Sequence, residues 1–283
     1  MLEEINVFNL FTIPGYGLML SIGVLGLILV MFYRFKKYNV PNNSVDRLLI
    51  ICAISGLMMY LSASFFDDLW HTIANYQQTG EWEWITNGIT FSGGLLGAII
   101  TYIIAYWFIM PKERHHIVFY FDQIVIGIVL AHAFGRIGCF LGGCCYGPQT
   151  DSFLGITFPA GSLTAGEITS IYGANVPVLP TMLFESVFLF ILFFVLFFAV
   201  KKNQTAIYLI SYGVFRFAIE FIRGDSRGAS PIPWLSPSQL LSIIMVISGI
   251  CLFIWGNKLT NWLERKYNSN EVTTPDNSDT IIN

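Results

Sequence analysis

"IVFYFDQIVIGIVLAHAFGRIGCFLGGCC", residues Ile117–Cys145, is an apolar run long enough to cross a bilayer, yet it carries Asp122, His132 and Arg136. A spanning helix needs roughly 20 apolar residues. An arginine at its centre costs about 3 kcal/mol even on the gentler scales. The rest of the chain decides whether this run is a core helix or a membrane span. Six further stretches match it in length and character: Tyr16–Phe35, Leu48–Phe66, Ile89–Met110, Leu179–Val200, Ala206–Ile222 and Leu240–Trp255. The 283 residues are 54% hydrophobic and only 12% charged. An average soluble domain carries about twice that charged fraction. The expected fold is therefore an all-α integral membrane protein with seven transmembrane helices. Residues 1–267 form the membrane domain, and 268–283, rich in Asn, Thr, Ser and Asp, read as a disordered cytoplasmic tail.

Basic residues orient the spans. Arg34, Lys36, Lys37, Arg47, Lys112, Arg114, Lys201, Lys202, Lys258, Arg265 and Lys266 fall on one side, eleven of the fifteen Lys and Arg residues. The opposite loops carry Glu3, Glu4, Asp67, Asp68, Glu81, Glu83, Asp151 and Glu167, with Arg223 and Arg227. The N-terminus is expected outside and the C-terminus inside. No short basic region with a cleavage site precedes the first run, so no removable signal peptide is read. Phe65–Gly88 and Gly147–Pro177 are expected as external loops with short interfacial pieces.

Depth follows from a rise of about 1.5 Å per residue. His132 and Arg136 fall past the middle of their span, toward the outside. Tyr212, Arg216, Glu220 and Arg223 succeed one another at helical spacing in the outer half of the sixth span. Glu185 comes early in the fifth span, Tyr16 opens the first, and Ser92 lies just inside the third. Five helices thus bring polar groups to one depth, which implies a polar chamber open to the exterior. A guanidinium is a rigid five-donor fork suited to phosphate. Arg136 and Arg216 on separate helices therefore point to a phospholipid head group, with Glu220 one turn from Arg216 to hold it. A purely structural pairing, Arg216 with Glu220 and Arg136 with Glu185, stands as the alternative. Asp122 is expected at the inner interface. The glycines at 135, 138, 142 and 143 suit close helix packing or ligand approach.

Cys52 and Cys251 fall within spans and read as apolar filler. Cys139, Cys144 and Cys145 cluster at the outer end of the fourth span. A structural role (disulfide or packing), a nucleophilic thiolate beside arginine, and a zinc site completed by His132 all remain open. No cofactor or metal is called for by the reading as a whole. No dense basic stripe speaks for nucleic acid, and no P-loop lysine accompanies the glycines.

The ordered motifs resemble the prolipoprotein diacylglyceryl transferases of bacterial membranes. "IPGYGLML" at Ile13–Leu20 is similar to the family's first-helix tyrosine motif, and "GRIGCFLGGCCYG" at Gly135–Gly147 to its arginine–glycine signature. "ITFSGGLLGAII" at Ile89–Ile100 matches a stretch that normally holds His-Gly-Gly, with Ser92 in the histidine's place. "LPTMLFES" at Leu179–Ser186 is a weakened form of a Pro-Ser-Gln-Leu-Tyr-Glu stretch. "YGVFRFAIEFIR" at Tyr212–Arg223 is close to the arginine–glutamate helix, and "SPSQLLSI" at Ser236–Ile243 to the start of the last helix. Cys139 replaces an asparagine, and Gly142 and Cys144 replace an amide and an acid. The resemblance implies transfer of a diacylglyceryl group from phosphatidylglycerol to the cysteine thiol of a secreted lipoprotein precursor. Glycerol phosphate leaves and a thioether forms. It puts Tyr16, Arg136, Gly147, Arg216 and Glu220 at functional positions. Because serine is no base at neutral pH, His132 becomes the candidate base.

The expected catalytic set is His132, Arg136, Arg216 and Glu220; the expected substrate-binding set is Tyr16, Ser92, Cys139, Gly147, Glu185 and Arg223. The expected partners are the phospholipid donor, the lipoprotein precursor and the membrane, with no nucleic acid. The expected location is the bacterial plasma (inner) membrane. A non-catalytic phospholipid-binding protein, a transferase with another acceptor, and a thiol oxidoreductase using Cys144 and Cys145 are the other readings. The last has no CxxC motif behind it.

Overall fold

A computed structural model describes residues 4–7, 11–86, 88, 90–160, 162, 164–224 and 234–271, with backbone alone at 4–7, 11–13, 74, 78, 91, 92 and 267–271. Glu3, Arg227, the side chains of Glu4 and Ser92, and the tail beyond Glu271 lie outside the described residues. A two-stranded antiparallel hairpin, β1 (Glu4–Val7) with β2 (Phe11–Pro14), precedes the helices and pairs Glu4 with Pro14 and Val7 with Phe11. The rest is helical: α1 (Gly15–Lys37), α2 (Asn42–Thr79), α3 (Phe91–Ile109), α4 (Ile117–Leu141), α5 (Ala165–Tyr172), α6 (Thr181–Phe194), α7 (Gln204–Ile219) and α8 (Pro237–Glu271). Six helices are long and apolar enough to cross a membrane, and a shorter apolar helix covers Gly93–Ile109. The chain is a largely helical, multi-pass membrane protein.

It divides into two compact units, Met1–Arg34 with Val118–Thr260, and Phe35–Ile117 with Asn261–Asn283. In the first, α4 presents Val125, Ile126, Val129 and Ala133 to Leu189, Leu192 and Phe193 of α6, and Tyr212 of α7 joins the same core. Both helices repeat apolar residues every three to four positions, so each buries a continuous stripe. Glycines bring α1 against α4: a Cβ at Gly23 would lie 3.0 Å from the Ala131 carbonyl oxygen, and one at Gly127 would lie 2.9 Å from that of Leu27. Small residues are the usual means of close helix approach in lipid, where no hydrophobic force separates helix from solvent.

At one end of this unit a polar cluster ties α7 to α4. The Asp122 Oδ1 accepts from the Thr205 backbone N–H at 2.9 Å and the Thr205 hydroxyl at 2.6 Å, while Oδ2 accepts from the Gln204 N–H at 3.2 Å. The carboxylate thus satisfies donors that a helix start leaves unpaired. Asp122 is buried among these partners. Its partners lie on α7, far away in sequence, which is why span depth alone missed them. Arg34, also buried, donates to the side-chain oxygens of Gln123 at 2.9 Å and Gln204 at 3.3 Å. Gln204 in turn donates to the carbonyls of Leu196 and Val200.

In the second unit, α2 and α3 form a tight helical pair. A Cβ at Gly94 would sit 2.9 Å from the Met59 carbonyl oxygen, and Gly97 faces the Ser62 side chain just as closely packed. The expected loop from Phe65 is helical as far as Thr79, where Gly80 in the left-handed region caps the helix. Asp67 and His71, one turn apart and 3.8 Å from each other, sit on that extension. Acidic residues at 67 and 68 looked like a loop and are the start of a helix's polar end. The second expected loop, after Gly147, contains α5 as its short helical piece.

Helix α4 also ends earlier than the apolar run suggests. Gly143, at φ +65°, takes the left-handed position after Leu141 and Gly142. The Cys144 N–H then reaches back to the Cys139 carbonyl at 3.0 Å and the Gly143 N–H to that of Phe140 at 3.3 Å. This is the Schellman pattern. It puts Cys144 and Cys145 beyond the helix but folded over its last turn.

Candidate active site

The other end of the first unit gathers the N-termini of α1, α6 and α8 and the C-termini of α4 and α7. Glu185, fully buried on the first turns of α6, faces α4. Its Oε1 lies 2.9 Å from the Arg136 Nη2 and accepts the Tyr212 hydroxyl at 2.6 Å. Its Oε2 is buried and has no hydrogen-bond partner among the described residues. His132, one turn before Arg136, sets Nε2 3.4 Å from the Tyr212 hydroxyl oxygen and Nδ1 3.3 Å from that of Tyr208. Tyr212 gives its proton to Glu185, so its oxygen is free to accept from His132 Nε2–H and, at a long 3.5 Å, from Arg136. The network fits the tautomer protonated on Nε2, with Nδ1 accepting from Tyr208. Stacked rings of Tyr208 and Tyr212, 5.7 Å apart, fix both hydroxyls along one face of α7.

A second cluster holds the other guanidinium. Arg216 donates through Nη1 to Glu220 Oε2 at 2.7 Å and through Nη2 to the Ser238 hydroxyl at 2.8 Å. The Ser236 hydroxyl donates to Glu220 Oε1 at 2.7 Å. Ser236 and Gln239 also bond reciprocally, the Gln239 side chain to the Ser236 N–H at 3.0 Å and the Ser236 hydroxyl to the Gln239 N–H at 3.1 Å. With Pro237 between them, this is a capping box that starts α8 and aims Ser238 at Arg216. Glu185 and His132 each lie within Coulombic reach of both Arg136 and Arg216. The two clusters therefore share one electrostatic environment.

Tyr16, at 44% exposure, packs across Gly138: a Cβ there would lie 3.1 Å from the Tyr16 ring. Gly147 joins three segments. Its N–H donates to the Leu179 carbonyl at 2.7 Å, and a Cβ would come within 2.9 Å of the Ile222 carbonyl, Leu179 Cβ and Thr181 Cγ2 alike. Arg223 follows the 3-10 turn Glu220–Ile222, and its charge reaches Cys145. The Sγ atoms of Cys139, Cys144 and Cys145 lie within 4.8 Å of one another, all as free thiols. Hydrogen bonds from Cys139 and Cys144 hold the Cys145 thiol well below its ordinary range, with Arg223 and Arg136 acting the same way, while the bonds to Cys139 and Cys145 push Cys144 upward.

Of the residues singled out from sequence, Arg136, Glu185 and His132 thus meet in one cluster and Arg216 and Glu220 in another. Tyr16, Cys139 and Gly147 sit around the end of α4. Ser92 belongs to α3, and its side chain lies outside the described residues. Tyr208, Tyr212, Ser236 and Ser238 were not among the expected site residues. The serines had a local signal, the S-P-S-Q capping box; the tyrosines had only their helical spacing to Arg216.

Two guanidiniums, each paired with its own carboxylate, thus lie at one end of a helical unit of this membrane protein. Residues 5–255 match the family model described as prolipoprotein diacylglyceryl transferase. A phosphatidylglycerol–prolipoprotein diacylglyceryl transferase of Clostridium tetani is 31% identical over 87% of this chain and 95% of its own length. A second enzyme of that name from Clostridium perfringens is 31% identical over 88% and 92%. One from Dehalococcoides mccartyi is 30% identical over 86% and 89%. The chain belongs to the prolipoprotein diacylglyceryl transferase family.

Proposed function

We propose that this protein transfers the diacylglyceryl group of phosphatidylglycerol to the cysteine thiol of a lipoprotein precursor. The sulfur forms a bond to the terminal glyceryl carbon, the bond from that carbon to the phosphate oxygen breaks, and glycerol phosphate leaves. Arg136 and Arg216 hold the phosphate and offset the charge that builds on the leaving group. Glu185 fixes Arg136, and Glu220 with Ser238 fixes Arg216. Each η nitrogen that binds a protein partner keeps a second N–H for the ligand. Arg136, Arg216 and Arg223 against Glu185 and Glu220 leave one formal positive charge, the charge a phosphodiester cancels. Tyr16, Cys139 and Gly147 line the substrate-binding region in this reading. His132 is the base, and its Nδ1 takes a proton only when Tyr208 gives up its hydrogen bond.

The reading has seven spans, α3 among them, with the N-terminus outside and the site in the outer half of the plasma membrane, where the donor lipid and the secreted acceptor meet. Residues 1–267 act as the membrane domain and 268–283 as a cytoplasmic tail. The observation that supports the reading most is the pairing of two arginines on α4 and α7 with separate carboxylates within one electrostatic environment. Protein in nanodiscs, given labelled phosphatidylglycerol and a precursor peptide, tests it by mass spectrometry of the peptide. Thioether product from the wild type, lost in Arg216→Ala, is the expected result. Absence of product under conditions where another family member works overturns it.

A second reading, phospholipid binding without transfer, draws on the engagement of both His132 nitrogens. It expects donor lipid to co-purify with the wild type and no product to form until Ser92→His is introduced.

A further inference from the structure

Of the three thiols at the end of α4, Cys139 only lines the site above and Cys144 and Cys145 have no part in it, yet their arrangement is specific. The Schellman turn folds Cys144 back over Cys139, whose carbonyl also accepts the Cys144 thiol at 3.5 Å. Cys145 then adopts φ +66°. That is a conformation a non-glycine residue adopts only when its surroundings hold it there. In an extended continuation, neighbouring side chains would point to opposite faces. The left-handed step at Cys145 instead brings its sulfur to the same side as the other two, and all three Sγ atoms fall within 4.8 Å.

That spacing separates a disulfide from a metal. A disulfide needs one pair at about 2.05 Å and leaves the third sulfur without a role. Metal–sulfur bonds of about 2.3 Å place three thiolates roughly 3.8–4.0 Å apart, so small side-chain rotations close the set around one ion. The charges agree as well. Three thiolates around a divalent ion carry one net negative charge, and the guanidiniums of Arg136 and Arg223 both act on Cys145. His132 is turned toward Tyr208 and Tyr212, and no other His, Asp or Glu joins the cluster among the described residues. Three protein ligands with an open fourth position are the pattern of catalytic rather than structural zinc.

We propose that Cys139, Cys144 and Cys145 bind Zn(II) as three thiolates, and that the open fourth position takes the thiol of the acceptor cysteine. This rests on the transfer reaction proposed above. A thiol that coordinates zinc loses its proton outright. Here the proton passes to His132, the base named above, leaving a zinc-bound thiolate near Arg136, one of the two arginines that hold the donor phosphate. The sulfur then displaces glycerol phosphate from the diacylglyceryl carbon, and the neutral thioether, a weaker ligand, leaves the zinc. Zinc neither gains nor loses electrons. It supplies the thiol activation that a serine at position 92 cannot.

The test uses full-length protein in nanodiscs, reduced and stripped of metal, with Co(II) as the spectroscopic probe and Zn(II) as competitor. We expect one equivalent of Co(II) per chain, a near-ultraviolet thiolate-to-cobalt band, and full displacement by Zn(II). Cys144→Ser and Cys145→Ser should each remove the band. A precursor peptide with its cysteine should change the cobalt spectrum, and the same peptide with serine should not. Wild-type protein that transfers lipid yet binds neither ion overturns the zinc site and leaves the transfer reading standing. Two of the three thiols already oxidised in protein isolated without reductant, with activity intact, also overturns it, as does stoichiometric binding of Cu(I) alone. A spectrum that responds to the cysteine peptide without any transfer supports the site and counts against the reaction.

Discussion

The two ends of α4 carry polar clusters of similar composition and different completeness. Around Asp122 both carboxylate oxygens are bonded to the start of α7, and Gln204 is bonded through its oxygen and its nitrogen. Around Arg136, Glu185 keeps a buried oxygen without a hydrogen-bond partner among the described residues, and the Arg136–Tyr212 contact is stretched to 3.5 Å. A buried acceptor left short is costly. In an evolved site, that cost is offset where a ligand or its water completes the network. Polar residues in a membrane span therefore say little by their presence. What separates a joint from a site is whether the bonding capacity is used up within the protein.

Four measurements break or sharpen this contrast. The largest effect belongs to Arg136→Ala and Arg216→Ala. Each should lower transfer by about 10²–10³-fold, the usual loss for one charge-stabilising donor, as read from initial rates of thioether formation. Asp122→Ala comes next but acts on stability. Thermal unfolding in detergent should show a loss of about 1–3 kcal/mol from the unpaired helix-start donors, while turnover per folded molecule stays near wild type. If that turnover collapsed instead, the contrast between the two ends would be wrong. Tyr212→Phe removes the hydroxyl that serves Glu185, His132 and Arg136 together, and should cost about tenfold in turnover with about 1 kcal/mol in stability. Ser238→Ala is the mildest: it frees one Arg216 nitrogen. It should raise KM for the donor lipid a few-fold with kcat little changed, as expected when binding rather than transition-state contact is lost.

Much of this contrast is legible in the sequence, and the rest fails for identifiable reasons. Apolar run length located the helices, and helical spacing paired Arg216 with Glu220, because both are local properties. Depth along a span brought Arg136 and Glu185 to the same level, and their pairing stood only as an alternative to ligand capture. That pair is present, with one Glu185 oxygen on Arg136 and the other without a hydrogen-bond partner among the described residues. The bonding of Asp122 is not legible in the sequence because its partners on α7 are distant along the chain. The end of α4 was overrun because Gly142, Gly143, Cys144 and Cys145 are all compatible with an apolar helix. The left-handed φ at Gly143 and again at Cys145 sets them apart. The extension of α2 past Phe66 was missed for the opposite reason, since its charged residues hide a continuing helix.

Gly147 carries a consequence for how this site can change. Because it is wedged against Leu179, Thr181 and Ile222, one missing methyl sets the spacing of the chain ends that lead to Glu185, Arg136 and Arg216. Adding that methyl would not shift one helix alone; it would press on the ends of α4, α6 and α7 at once. Change at this junction is an all-or-nothing step, and finer adjustment has to come from the side chains around it.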